Sequence, residues 1–192
     1  PASLKHATLA PHQKDSVILT RSRTEILSLM SDFIGNFHSP TKKGLYVFGD
    51  FGVGKSFLLA ALAHDLSEKY SVATTMIHYP SFVVNVKNAI QSGQVKTEID
   101  TVKKADILIL DDIGAEQHSP WVRDDVLQVI LQHRMQENLP TFFTSNFSLA
   151  DLEKRLSQGK AGDESWQAKR VMERIRFLAK EVHLEGENRR HE

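Results

Sequence analysis

Eight consecutive residues, Gly49-Asp50-Phe51-Gly52-Val53-Gly54-Lys55-Ser56, carry the clearest chemistry in this chain. Their pattern, G-x-x-x-x-G-K-[ST], is that of a phosphate-binding loop between a strand and a helix. Glycines let the backbone wrap so that its N–H groups face phosphate oxygens, and the helix start adds positive dipole. Lys55 is placed to reach the β- and γ-phosphates of a nucleotide, and the Ser56 hydroxyl to ligate Mg²⁺. Phe57 completes the expected binding segment, Gly49 to Phe57.

A second constellation, Asp106-Ile107-Leu108-Ile109-Leu110-Asp111-Asp112, is an apolar run that ends in two carboxylates. A buried strand would deliver Asp111 rigidly to the Mg²⁺ shell beside Ser56. Asp112 would then face the γ-phosphate, where a carboxylate can orient or deprotonate a water. The third, Thr141-Phe142-Phe143-Thr144-Ser145-Asn146, is a strand ending in an amide. Asn146 suits a hydrogen bond to the γ-phosphate or to the attacking water, and it also suits an ordinary turn. The last is a set of cations, Lys169, Arg170, Arg174 and Arg176 followed by Arg189 and Arg190. These read either as a solvated helix face or as a source of an arginine finger acting on a neighbouring subunit's nucleotide.

These groups need a scaffold, and apolar runs of four to six residues alternating with segments of helical period predict βαβ units around a mostly parallel sheet. Strands are expected at Leu45 to Phe48, Val72 to Ile77, Ile107 to Leu110, Thr141 to Thr144 and around Val182 to Leu184. A helix with Phe57, Leu58, Leu62 and Leu66 on one face comes after the phosphate loop. Ser81 after Pro80 reads as the cap of a helix carrying Phe82, Val83, Val86 and Ile90, and Val95, Ile99 and Val102 suggest another. Ser119-Pro120 opens a helix through Trp121, Val122, Val126, Val129, Ile130 and Met135. Ser148 and Asp151 form a capping box for a helix to Leu156. Ser157 to Ser165, with two glycines, reads as a mobile loop before a last helix from about Trp166 to Leu178. Phe33, Phe37, Phe57, Phe82, Phe142 and Phe143 read as core.

Composition narrows the alternatives. The 192 residues balance 24 Lys+Arg against 24 Asp+Glu and include no cysteine. Cysteine nucleophiles, iron-sulfur clusters, zinc ribbons and disulfide scaffolds are thereby excluded within this sequence. Zero net charge argues against a generally basic nucleic-acid coat. No run approaches 18 apolar residues and the first residues lack a signal-peptide core, so no membrane association and a cytoplasmic location are expected. The chain begins at Pro1 and not Met, which suggests a fragment or a processed chain. Neither G-x-S-x-G nor H-E-x-x-H occurs, and the nine histidines show no paired metal spacing.

Taken together, GDFGVGKS, ILILDDIGAE, FFTSN, KRVMERIRF and LEGENRR, in that order, resemble the AAA+ domain of bacterial replicative helicase loaders, the DnaI and DnaC group. The similarity runs from about residue 15 onward. It implies a three-layer α/β P-loop NTPase of the ASCE type with a five-stranded, mostly parallel sheet, the Asn146 strand lying between the other two motif strands. It also implies an ATPase that uses ATP/ADP and Mg²⁺, self-associates in a ring or spiral, and helps place the replicative DNA helicase on single-stranded DNA. By position, Lys55 and Ser56 match Walker A, Asp111 and Asp112 Walker B, Asn146 sensor 1, and Arg174 the arginine finger. Arg190, with Arg189 as the alternative, matches the sensor 2 arginine. Phe82 to Lys104 falls where these loaders carry a helical insertion for single-stranded DNA, with Lys87, Lys96, Lys103 and Lys104 as its cations; the same lysines suit a solvated helix face.

Three departures qualify the resemblance. Asp112 stands where most AAA+ proteins have Glu, which implies slow hydrolysis. Only 46 residues come after Asn146, too few for a full helical lid, so a reduced C-terminal lid is expected. Members of the DnaI type also carry an N-terminal zinc domain that grips the helicase, and a chain without cysteine does not contain it. The expected organisation is a helical lead-in over 1–43 and an AAA+ domain over 44–192. Other readings in view are an IstB-like transposition helper, a small-molecule P-loop kinase and a nucleotide-dependent scaffold without catalysis.

Overall fold

Strand β3, Ile107–Asp111, explains the architecture, because its apolar side chains must be covered on both faces. Ile107 and Ile109 face one core and Leu108 and Leu110 the other, all of them buried. The computed structural model describes residues 21–37, 43–50, 52, 54–159 and 162–186. Within them, β1 (Gly44–Phe48), β2 (Thr74–His78), β3, β4 (Thr141–Ser145) and β7 (Ala179–His183) form one parallel sheet in the order β2-β3-β4-β1-β7. The Asn146 strand thus lies between the other two motif strands, as expected.

Two helices cover one face. Helix α1 (Arg21–Gly35) and α2 (Lys55–Tyr70) pack Ile26, Met30, Leu58, Leu62 and Leu66 against Leu45, Val47, Ile109, Phe142 and Val182. The other face is covered by α3 (Tyr79–Ala89), α4 (Val95–Lys103), α5 (Gln128–Gln136), α6 (Leu149–Leu156) and α7 (Ser165–Leu178), over Tyr46, Leu108, Leu110 and Phe143. The three-layer α/β class is the one the sequence predicts. Helix α1 shares a core with α2 and β1, so the described part of the lead-in packs with the domain next to it in the chain. The residues after Asn146 supply α6, α7 and β7, all within these layers. No helix among the described residues is long and apolar enough to cross a membrane.

Several boundaries differ from expectation for local reasons. Val72 lies outside β2: Ser71 caps α2 in the left-handed region (φ 55°), and pairing with β3 begins at Thr74. Helix α3 starts at Tyr79 and not after Ser81, because Pro80 suits the first helical turn. The Ser81 hydroxyl meets His78 Nδ1 at 2.8 Å instead. Ile90 lies beyond the last residue of α3 and is exposed. Phe57 is also exposed, at the loop end of α2, so the core reading fails for it. The Ser157 to Ser165 segment holds a short antiparallel pair, β5 (Gln158–Gly159) with β6 (Gly162–Asp163).

The helix opened by Ser119 and Pro120 has a feature that the periodicity hides. Residues Val122–Leu127 form a π-helical stretch before α5. Its wider turn shifts the frame of α5, so Ile130, Leu131 and Arg134 face inward and Val129 is exposed. Two arginines are thereby buried. Arg123 donates to Leu156 O at 2.8 Å and Glu164 Oε1 at 2.6 Å and pairs with Asp124. Arg134 donates to Thr141 Oγ1, Lys103 O, Ala105 O and Pro140 O, at 2.6–3.1 Å. Burial lowers its pKa to about 10, which leaves it charged at neutral pH.

Arg134→Met should therefore lower stability by about 3 kcal/mol, since the Lys103 and Ala105 carbonyls and the Thr141 hydroxyl lose this donor and Pro140 O keeps the Leu108 N–H. The expected drop in Tm is roughly 6–12 °C. Arg134→Lys should rescue little of it, because one ammonium cannot reproduce the planar fork. Urea and thermal denaturation of both variants check this; an unchanged midpoint for Arg134→Met would remove the structural role.

Candidate functional site

A parallel sheet gathers the loops at its carboxyl end, and here those after β1, β3 and β4 converge beside the start of α2. Gly52 (φ 86°) and Gly54 (φ 94°) adopt left-handed backbone that side chains disfavour, which curls the loop into the first turn of α2. Lys55 is largely buried and donates to Gly49 O at 2.8 Å, Asp50 O at 2.9 Å and Asn146 Oδ1 at 3.0 Å. These three acceptors are neutral oxygens of the loop and of the residue after β4. Ser56 Oγ donates to Asp111 Oδ1 at 2.7 Å. A hydroxyl and a carboxylate oxygen in contact are the oxygen donors that Mg²⁺ takes from a protein while substrate phosphates complete its shell. The residues present therefore fit both a nucleotide phosphate and its metal ion.

The carboxylates after β3 are fixed from β4. Thr144 Oγ1 donates to Asp111 Oδ1 at 2.6 Å and accepts from the Asp112 N–H at 2.8 Å. Asp112 itself has φ 63°. Its Oδ2 lies 3.4 Å from Nε2 of His78, the β2 residue in register with Asp111. The turn then closes on buried Glu116, whose Oε2 accepts from the Gly114 N–H at 2.7 Å. Gly114 has φ 99°, and a Cβ there would lie 2.7 Å from the Phe147 ring. Arg155 of α6 donates to Glu116 O at 2.6 Å.

The far rim of the loop is built by α1 and β7. Arg23 lies beside Gly54, with Nη1 3.4 Å from where a Cβ would stand. Ser22 Oγ donates to Glu185 O and accepts from the Glu185 N–H. His183 stacks on Phe48 at 4.6 Å, one residue before Gly49.

The structure thus brings Gly49, Asp50 and Asn146 onto Lys55 and Asp111 onto the next residue, Ser56, with Gly52, Gly54 and Phe57 along the same segment and Asp112 attached to Asp111 through Thr144. Arg174 stands apart from these residues. Its Nε donates to Gln132 of α5 at 2.6 Å and its Nη1 to Arg170 O at 2.9 Å. Phe51, Val53, Arg189 and Arg190 lie outside the described residues. Sequence reasoning passed over Thr144, His78, Glu116 and Arg23. For Thr144, a polar residue interrupting an apolar strand was the available signal; the other three depend on register and packing.

Burial raises the Glu116 carboxyl above the ordinary glutamate range, opposed by the Gly114 N–H and by Arg155. A carboxyl raised in the folded state holds its proton to higher pH than in the unfolded chain, so its contribution to stability falls as pH rises through that window. Glu116→Gln keeps an acceptor for Gly114 and should flatten this pH dependence above about pH 4.5. Urea midpoints of both proteins at pH 5 and pH 7 provide the check, and parallel slopes would refute the assignment.

The geometry has recognisable relatives. The model of the family described as IstB-like ATP binding protein matches residues 27–192. The replicative helicase loader DnaI of Bacillus subtilis (strain 168) is 44% identical over 172 residues, 88% of this chain and 55% of that protein. The chain thus spans just over half the length of that relative. A crystal structure of a putative primosome component from Streptococcus pyogenes serotype M3 is 52% identical, with 98% of each chain covered and a TM-score of 0.77. A crystal structure of DnaI is 38% identical, covering 96% of this chain and 94% of that one, with a TM-score of 0.85. The chain belongs to the IstB-like ATP-binding family, has the AAA+ P-loop NTPase fold, and is a homologue of the helicase loader DnaI.

Proposed function

We propose that this chain is the ATPase part of a helicase loader, one that binds and hydrolyses ATP while helping place the replicative helicase on single-stranded DNA. The observation that carries the reading is the convergence of Lys55, Ser56, Asp111 and Asn146 at the carboxyl end of the sheet. Residues Gly49 to Phe57 wrap the phosphates, and Lys55 exchanges its backbone acceptors for β- and γ-phosphate oxygens. Ser56 and Asp111 would hold Mg²⁺, which would supply neutralisation of the phosphate charge. Asn146 keeps Lys55 aligned and orients the γ-phosphate or the attacking water, which Asp112 activates.

The remaining assignments belong to the assembly. Arg174, on α7, donates to Gln132 and to Arg170 O and to none of the site's groups, and it serves a neighbouring subunit's nucleotide. The sensor 2 arginine is Arg190, or Arg189 as the alternative, both outside the described residues. Lys96 and Lys104 are exposed and Lys87 half-buried, while Lys103 lies 3.3 Å from Asp100. Together they offer single-stranded DNA a small basic patch, repeated around an oligomer.

Lys55→Ala should weaken ATP binding about 10- to 100-fold, the range expected for one charge-assisted hydrogen bond. Asp112→Asn should keep binding and lose turnover by about 10² or more. Mixing Lys55→Ala with Arg174→Ala should restore ATP hydrolysis if Arg174 acts in trans, because some interfaces then pair an intact site with an intact arginine. Unchanged ATP affinity in Lys55→Ala would sink the site. The family match also admits a transposition helper, and a preference for double-stranded over single-stranded DNA in binding assays would favour that reading instead.

A further inference from the structure

We infer that Thr144 is a positioning residue whose hydroxyl couples the metal-binding carboxylate of Asp111 to the water-activating residue Asp112; the inference rests on the ATPase reading above. Thr144 lies at the end of β4, 1% exposed. A hydroxyl has one proton to give. Here the Asp112 N–H occupies an oxygen lone pair at 2.8 Å, and the proton goes to Asp111 Oδ1 at 2.6 Å. The donor order is therefore fixed, from the Asp112 amide through Thr144 to the Asp111 carboxylate. Asp111 Oδ1 also accepts from Ser56, so the two hydroxyls hold one oxygen between the phosphate loop and β4.

The same residue shapes the backbone that carries Asp112. A non-glycine residue at φ 63° is uncommon, and its surroundings must hold it there. Thr144 supplies that hold twice, through its hydroxyl to Asp112 and through its carbonyl, which accepts from the Ile113 N–H at 3.0 Å. The adjacent Ser145 Oγ donates to Ile113 O at 2.6 Å, closing the clamp on the turn. Removing the Thr144 hydroxyl leaves the Asp112 amide without this acceptor and frees Asp111 to rotate about a single remaining hydroxyl contact.

Two conservative substitutions separate positioning from packing. Thr144→Val keeps the shape and loses the hydroxyl, while Thr144→Ser keeps the hydroxyl and loses a methyl. Positioning predicts damage in Val and rescue in Ser; a packing role predicts the reverse. Partners that orient a metal ligand are worth about 10- to 100-fold in metal affinity or activity. In Thr144→Val the Mg²⁺-dependent gain in affinity for a fluorescent ATP analogue should shrink about tenfold, with affinity in EDTA unchanged. The kcat for ATP should fall about 10- to 100-fold, and Thr144→Ser should stay within about threefold of wild type on both measures. Should the valine variant not fold, Thr144→Ala supplies the hydroxyl-free comparison against Thr144→Ser. Wild-type Mg²⁺ dependence in the hydroxyl-free variant, or equal damage in the serine variant, would overturn the inference. Failure of the ATPase reading is recognised separately, as absent wild-type turnover or unchanged ATP affinity in Lys55→Ala; Mg²⁺-dependent analogue binding then decides the role of Thr144 alone.

Discussion

A buried ammonium group must be surrounded by oxygen, and the placement of Lys55 imposes that demand on two segments at once. Two of its acceptors are carbonyls of its own loop and the third is the side chain of Asn146, beyond β4. Desolvating the charge without them would cost several kcal/mol. The loop can therefore hold its shape only while β1 and β4 stay side by side, which the parallel pairing of Tyr46 with Phe143 and Val47 with Thr144 secures. Asp111 ties β3 to the same two segments, accepting hydroxyl hydrogen bonds from Ser56 and Thr144 on one oxygen. Sheet order and site geometry are thus one problem, solved by placing β4 between β1 and β3.

Distance along the chain decides how much of this was legible in the sequence. The phosphate loop acts through contiguous residues, so Gly49, Lys55 and Ser56 could be assigned before any fold was known. Asp111 and Asn146 could be placed because each ends an apolar strand, and a buried strand end fixes direction. Thr144, His78 and Glu116 stayed hidden for the opposite reason. Each matters through a residue on a different strand or across a turn, and that adjacency is set by register and backbone twist. Sequence similarity extended the reading to Arg174, whose contacts with Gln132 and Arg170 describe its resting place on α7.

The helical layer misled periodicity in an instructive way. A stripe from Val122 to Met135 at 3.6-residue spacing is what a uniform amphipathic helix would show, yet the π-helical turn moves Val129 outward and brings Arg134 in. Each buried arginine sits where the ends of helices and strands present several backbone carbonyls together. Arg134 gathers the ends around α4 and β4, and Arg123 the junction of α6 with α7. In both cases a cation supplies donors to buried backbone oxygens that apolar side chains could not supply.

The turn after β3 has a mechanical meaning beyond its hydrogen bonds. It is stapled to α6 by Arg155 on Glu116 O, and His118 contacts Gln158 O just past that helix. Arg123, one turn further on, grips Leu156 O and Glu164 at the two ends of the same connection. The helix bearing Arg174 is therefore hinged to the stretch of chain that begins at Asp112. The two ends of the connection that leads into α7 and the turn that carries Asp112 thus share one set of side-chain ties, so the backbone before α7 and the backbone beside β3 form a single braced corner of the molecule.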